Sequence, residues 1–144
     1  MKDIKLKMVS EYKLPEYKTA GAAGFDLFCN NEQPIIARPN EVVKVPTGIK
    51  MQIPEGYFGA IYPRSSSGIK SRIKLANTVG VIDSDYRGEV VLFLVNEGDQ
   101  DLEIQKGDRL AQMVIQPYLR VQIEEVQDLD ETERGEGGIG STGK

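Results

Sequence analysis

The chain has 144 residues, which is enough for one domain with a single hydrophobic core but not for two. Its 18 basic and 22 acidic residues give a net charge of −4, which argues against a general binder of nucleic acids or membrane surfaces, so any anion site must be local. It has no histidine and one cysteine, Cys29, which excludes histidine-ligated zinc, Ser-His-Asp catalysis and an internal disulfide.

The missing histidine also narrows the chemistry of any hydrolysis. A carboxylate must serve as the base, most simply with a hard cation that oxygen atoms hold. Because no histidine is present to activate it, we interpret Cys29 as a small packing residue.

The N-terminal segment alternates Ile4, Leu6 and Met8 with lysines, which predicts a strand. It lacks a signal-peptide pattern, and the chain has no apolar run near 18 residues. We therefore expect a cytosolic protein.

Period-two alternation continues along the chain, with glycine and proline turns between the segments. Its apolar members are Val43 and Val45, then Ile49, Met51 and Ile53, then Leu102 and Ile104, and finally Leu119, Val121 and Ile123. Many short strands predict an all-β sandwich or jelly roll, with one short helix around residues 66–72.

Residues 77–88 carry an amide, a carboxylate and an aromatic side chain, at Asn77, Asp83 and Tyr86. Strand-forming residues and two glycines around them predict one stiff β-hairpin. A hairpin mouth offers fixed backbone donors and acceptors that suit base recognition. Ordinary turn chemistry is the alternative for this segment alone.

The following strand, residues 89–95, places Phe93 on one face and Leu92 and Leu94 on the other. Phe93 is either a core residue or an aromatic that faces a site or a neighbouring subunit.

The last segment, residues 128–144, has too little apolar surface to fold alone. We predict a folded core over residues 1–127 and a flexible glycine-rich arm over residues 128–144. The end of this arm, residues 138–144, matches most of a Walker A motif. That motif needs a Ser or Thr after its lysine, and Lys144 is the last residue of the sequence, so this interpretation fails. Its glycine amides can still wrap an anion, and a solvated tail without a role is the alternative.

Five segments in order and spacing resemble the five motifs of the homotrimeric dUTPases, over almost the whole chain. These are residues 23–27, 63–68, 77–88, 107–112 and 134–143. The resemblance implies a jelly-roll-like β-clip subunit, a homotrimer with active sites at subunit interfaces, and Mg²⁺. It implies hydrolysis of dUTP to dUMP and pyrophosphate, which limits uracil in DNA and supplies dUMP for dTMP synthesis.

The resemblance assigns catalysis to Asp83, as the base that activates water for attack on the α-phosphorus, and to Gln112, which contacts phosphate and that water. Asp83 capping its own turn with Ser84 is the alternative. Asn77, with the backbone at Gly80 and Val81, would read uracil.

The remaining contacts to the nucleotide are also implied by the resemblance. Tyr86 would lie flat against the deoxyribose, with packing over the hairpin as the alternative. Phosphates would be held by Arg64, Ser65, Ser66 and Gly68, and by the arm residues Arg134, Gly140, Ser141 and Thr142. Asp26 would approach Mg²⁺ through water or serve as a buried structural aspartate, and Arg109 is left undecided.

The chain departs from the family at Ile139, where an aromatic usually closes over uracil. Either this lid is weaker here or another aromatic supplies it, and Phe93 is the aromatic best placed to substitute, with a plain core role for Phe93 as the alternative. Two other functions stay open: a dCTP deaminase-like enzyme of the same fold, and a dUTPase-fold module that binds a regulatory protein partner.

Overall fold

The structure, a computed structural model, describes residues 4–139 and 141, and this part of the chain is all-β as predicted. It contains eleven strands and one short helix. In chain order they are β1 (Lys7–Ser10), β2 (Phe25–Leu27), β3 (Ile35–Ala37), β4 (Val42–Pro46), β5 (Ile49–Gln52), β6 (Tyr57–Pro63), α1 (Ser65–Lys70), β7 (Ile73–Leu75), β8 (Gly80–Ile82), β9 (Val91–Asn96), β10 (Leu102–Ile104) and β11 (Ala111–Pro117). Within the described ranges, no helix is long and apolar enough to cross a membrane.

The strands form four antiparallel sheets, two of which position the site. The four-stranded sheet has the order β2-β11-β6-β8, and the three-stranded sheet has the order β4-β9-β7. Two ribbons, β1-β5 and β10-β3, complete the fold. Long β6 and β11 pair over seven residues, from Ala111 opposite Pro63 to Pro117 opposite Tyr57.

One hydrophobic core joins the inner faces of these sheets. Alternation along β9 buries Leu92 and Leu94 and turns Phe93 outward, as the sequence predicted for the two faces. The other predicted alternations are also buried, at Val43, Val45, Ile49, Met51, Ile53 and Ile104. The helix begins one residue earlier and ends two residues earlier than predicted.

The predicted strand at Leu119, Val121 and Ile123 is absent from the described chain. β11 ends at Pro117, and these three side chains are 93%, 73% and 90% exposed. An apolar face makes a stable strand only when another strand and a core cover it, and a single chain offers this segment neither.

The prediction of one hairpin over residues 77–88 is also wrong. These residues contain one strand, β8, which pairs with β6, and residues 83–88 form a turn and loop; β7, which precedes them, pairs with β9 in the other sheet. The Phe93 strand does not pair with this segment either, although it follows it directly in the chain, because β9 lies between β4 and β7. Residues 76–79 therefore carry the chain from one sheet to the other, and the site residues stand at this crossing.

Candidate active site

A cleft of about 380 Å³ opens where the chain crosses between the two sheets. It brings together the predicted residues Asn77, Gly80, Val81, Asp83, Tyr86 and Phe93. Lys44, which lies directly across from Phe93 on β4, lines the same cleft. We call this the hairpin cleft, after residues 77–88, although those residues do not form a single hairpin.

Asp83 follows the last residue of β8 and begins a tight turn. Its carbonyl accepts a hydrogen bond of 3.2 Å from the Tyr86 amide, and Arg87 Nη1 donates to the carbonyls of Ser84 and Tyr86 at 2.8 and 3.0 Å. The Asp83 side chain is exposed and makes no hydrogen bond within the described part of the chain. The carboxylate is therefore free to hold a water molecule, and the Ser84 cap bond is not formed.

The residues predicted to read the base lie at the crossing and at the start of β8. Asn77 is exposed, and Gly80 is buried against Ile61, where an added Cβ would lie 3.2 Å from the Ile61 Cβ. This close approach brings the β8 backbone to the floor of the cleft. Phe93 is 43% exposed there, so it is not a plain core residue.

A second cluster, the arginine cluster, surrounds Asp26. This carboxylate, buried in β2, pairs with Arg64 Nε at 2.9 Å and with Arg109 Nη1 at 3.0 Å. Arg64 Nη1 also donates to the Arg109 carbonyl at 2.9 Å. Two guanidinium groups share one carboxylate, which leaves a net positive charge that suits an anion.

The neighbours of the arginine cluster include both predicted and unpredicted residues. Gln112 Nε2 donates to the Pro63 carbonyl at 3.2 Å, at the same end of the four-stranded sheet. Ser65 and Ser66 are exposed on α1, whereas Ser67, which the sequence interpretation passed over, is buried and donates to the Arg109 carbonyl at 3.3 Å. At Gly68 an added Cβ would meet nothing within 4 Å, so the chain itself does not require this glycine.

Asp83, at the edge of the hairpin cleft, and the arginine cluster lie at opposite ends of β6. Gly59 pairs with Ile82 and Ile61 pairs with Gly80, so Asp83 lies beside Phe58 while Arg64 lies beyond the other end. Phe58 and Arg64 are six residue steps apart, which is roughly 20 Å at about 3.3 Å per step. One chain therefore does not bring together Asp83, the predicted base, and Arg64, the arginine predicted to bind phosphate.

The described residues of the arm form no hydrogen bond or ion pair with either cluster. Arg134 Nε donates to the Gly137 carbonyl at 2.9 Å, its side chain is exposed, and Ile139 is fully exposed. Ser141 is exposed as well. Gly140 and Thr142, which the sequence placed at the phosphates, lie outside the described residues.

The described residues do not fit a metal centre held directly by the protein. They contain no group of three or more carboxylate or thiolate side chains able to hold an ion. Each Asp26 oxygen already faces a guanidinium. This arrangement supports the structural interpretation of Asp26, and its approach to Mg²⁺ through water stays a prediction.

Cys29 lies outside both clusters and is fully buried. Burial, with a smaller contribution from the Asp108 charge, raises the pKa of its thiol to about 12. It is therefore a neutral packing residue rather than a nucleophile.

Comparison with known proteins agrees with this geometry. The dUTPase family model matches residues 10–143. This chain belongs to the dUTPase family. The family assignment from the five motifs is confirmed.

Relatives within the dUTPase family match along nearly their whole length. The deoxyuridine 5'-triphosphate nucleotidohydrolase of Hydrogenobaculum sp. (strain Y04AAS1) is 46% identical over 143 residues, covering 99% of this chain and 99% of that protein. The protein of that name from Rickettsia bellii (strain OSU 85-389) is 47% identical over 142 residues, covering 97% and 95%.

A solved structure of the Staphylococcus bacteriophage 80alpha dUTPase with dUPNHPP shares the fold. Its TM-score is 0.86 at 26% identity, covering 97% of this chain and 99% of that chain. The predicted jelly-roll-like β-clip fold is thereby confirmed.

Proposed function

We propose that this chain hydrolyses dUTP to dUMP and pyrophosphate, with Asp83 as the general base. The observation that carries the proposal is the exposed Asp83 carboxylate at the edge of a cleft that also holds Asn77, Gly80, Tyr86 and Phe93. A carboxylate on a rigid turn can orient a water for in-line attack on the α-phosphorus, which is the main demand of phosphoryl chemistry.

Uracil is read in the hairpin cleft. Its edge presents O2 and O4 as acceptors on either side of the N3–H donor, and Asn77 with the β8 backbone supplies the complementary groups. Cytosine has an acceptor at N3 and an amino donor at C4, so it would leave buried groups unpaired at about 1 to 3 kcal/mol each. Tyr86 lies beside this position, where a flat ring meets the deoxyribose.

The triphosphate is bound by the arginine cluster. Arg64 and Arg109 supply positive charge that one carboxylate only partly offsets, and exposed Ser65 and Ser66 supply short hydrogen bonds. Gln112 lies at the same end of the sheet and orients the phosphate and the attacking water. Arg134 and the glycine-rich arm close over the γ-phosphate.

A complete site is built from more than one copy of the chain. A general base must lie within hydrogen-bond reach of its water, directly or through one more water, so a gap of roughly 20 Å within one chain is too long. The exposed apolar side chains of Leu119, Val121 and Ile123 provide a surface for contact between copies. Both features support a homotrimer with its active sites at subunit interfaces.

Magnesium is proposed to arrive with the triphosphate rather than to reside in the protein. Phosphate oxygens and water suit this cation, and the bound ion would neutralise charge on the phosphates. Asp26 would contact the water shell of the ion rather than the ion itself.

Pyrophosphate release measured on dUTP, dCTP, dTTP and UTP tests the function. We expect release from dUTP alone at a high rate. Ammonia release from dCTP would favour the deaminase instead, and no turnover of any of the four would favour the protein-binding module. The relatives' shared name, nucleotidohydrolase, supports hydrolysis. From the substrate, we also propose a cytoplasmic location.

A further inference from the structure

Tyr86 is held in the hairpin cleft by a feature outside the base-reading residues. Its ring lies across the backbone of Gly88, two residues later. A Cβ added at Gly88 would lie 2.5 Å from Tyr86 Cζ and 2.9 Å from Cε2, and nearer still to the hydroxyl oxygen. Real Cβ atoms essentially never approach other heavy atoms this closely, so the ring and a side chain at position 88 are mutually exclusive.

Backbone conformation does not explain this glycine. Gly88 is absent from the described glycines with positive φ, which are Gly48, Gly56, Gly107 and Gly135. No positive-φ penalty therefore applies to a side chain at position 88, and the three nearest atoms that its Cβ would meet all belong to Tyr86. What Gly88 provides is space for that one ring.

The ring is also fixed at its far end. The Tyr86 hydroxyl donates to the Glu89 carbonyl at 3.0 Å. Glu89 itself is anchored, because its side chain accepts from the Gly48 amide at 2.8 Å and the next amide, Val90, donates to the Ile49 carbonyl at 2.8 Å. The hydroxyl thus bonds to a carbonyl that is tied to the start of β5.

We propose that Gly88 is a positioning residue for sugar discrimination: its missing side chain lets the Tyr86 ring lie down over the backbone and present its face to the deoxyribose. This inference rests on the proposed function, since it needs Tyr86 to contact the sugar. With a methyl group at position 88, the ring must swing away about its own side-chain torsions. The backbone can stay in place, because the displaced atoms are the far end of a flexible side chain.

The test compares four variants by kcat/KM for dUTP and for UTP: Tyr86→Ala, Gly88→Ala, the double variant, and Gly21→Ala as the matched control. Gly21 has nothing within 4 Å of an added Cβ and lies outside the site. We expect Tyr86→Ala and Gly88→Ala each to lower the dUTP-to-UTP ratio by about tenfold or more. The double variant should match Tyr86→Ala alone, and Gly21→Ala should leave the ratio unchanged.

The outcomes separate this inference from the function on which it rests. If Tyr86→Ala lowers the ratio and Gly88→Ala does not, the role of Gly88 is overturned while the sugar contact stands. If Tyr86→Ala leaves the ratio unchanged, the sugar contact fails and this inference fails with it. A double variant that discriminates less than Tyr86→Ala alone would show that Gly88 acts by another route.

Thermal stability provides a second test if Gly88→Ala does not fold. Should Gly88→Ala fail to fold, the double variant must still fold, because the ring that clashes is gone. Thermal melting of both variants decides this: a double variant as unstable as Gly88→Ala would overturn the proposal.

Discussion

At the scale of single residues, the site depends on one exposed carboxylate. Replacing Asp83 with Asn keeps the size and polarity of the side chain but removes the base. We expect kcat to fall by roughly 10² to 10⁴ while a non-hydrolysable dUTP analogue still binds. Asp85→Asn, two residues along the same turn, is the matched control and should keep near-normal turnover. Equal turnover of Asp83→Asn and wild type would show that Asp83 is not the catalytic base.

Phe93 is expected to act as the aromatic that Ile139 does not supply. Its ring is 43% exposed in the hairpin cleft, so Phe93→Ala should weaken dUTP-analogue affinity by about 1 to 3 kcal/mol with a small change in melting temperature. Leu92→Ala is the control from the buried face of the same strand, and it should cost about 2 to 5 kcal/mol of folding stability. A large melting drop with unchanged affinity at Phe93 would contradict the lid role.

Cys29 makes stability fall at high pH. The pKa of its thiol rises from 9.0 to about 12 on folding, so between these values the unfolded chain loses the proton that the folded chain keeps. This contribution to stability is complete below pH 9 and is lost as the pH rises toward 12, by at most about 1.4 kcal/mol per pH unit. The difference in unfolding free energy between wild type and Cys29→Ala should show this slope. A difference independent of pH would contradict it.

At the scale of residues, the sequence predicted which side chains belong to a site but not which side chains pair with each other. Asp26 stood out as a carboxylate in an apolar segment, and its two possible roles stayed open because its ion pairs with Arg64 and Arg109 join distant parts of the chain. Ser67 was not predicted, because nothing in a run of three serines indicates which side chain is buried.

At the scale of elements, alternation predicted the buried strand faces well because side chains on a strand point to opposite sides. Alternation did not predict which strands pair with each other. Residues 77–88 looked like a hairpin because of their strand-forming residues and two glycines, but they contain one strand, β8, followed by the turn from Asp83 to Tyr86. Local sequence does not specify that β8 pairs with the distant strand β6 rather than with the residues that follow it.

The arm is the element with the least contact to the core. Truncation after Glu133 should leave the melting temperature nearly unchanged, because this segment buries little apolar surface, yet it should cripple turnover by deleting Arg134 and the glycine-rich end. Arg134→Ala in the full chain is the companion variant that separates the arginine from the glycines. Full activity of the truncated protein would show that the arm is not needed for turnover.

At the scale of the whole molecule, the exposed stripe of Leu119, Val121 and Ile123 indicates contact between copies. Val121→Asp should break the oligomer, as measured by sedimentation, and lower activity with it. Gln122→Asp adds the same charge at the adjacent polar position, outside the three apolar side chains, and should leave the oligomer intact. If Val121→Asp remains fully assembled, this stripe is not part of the interface.

The central claim is that dUTP is hydrolysed at a site whose base and phosphate-binding arginine come from different copies. Co-expression of two inactive variants, Asp83→Asn and Arg64→Gln, measures this directly through pyrophosphate release from dUTP by purified mixed oligomers. We predict that mixed oligomers regain activity, because some of their sites pair an intact Asp83 with an intact Arg64. Mixed oligomers that stay as inactive as either parent would contradict the account.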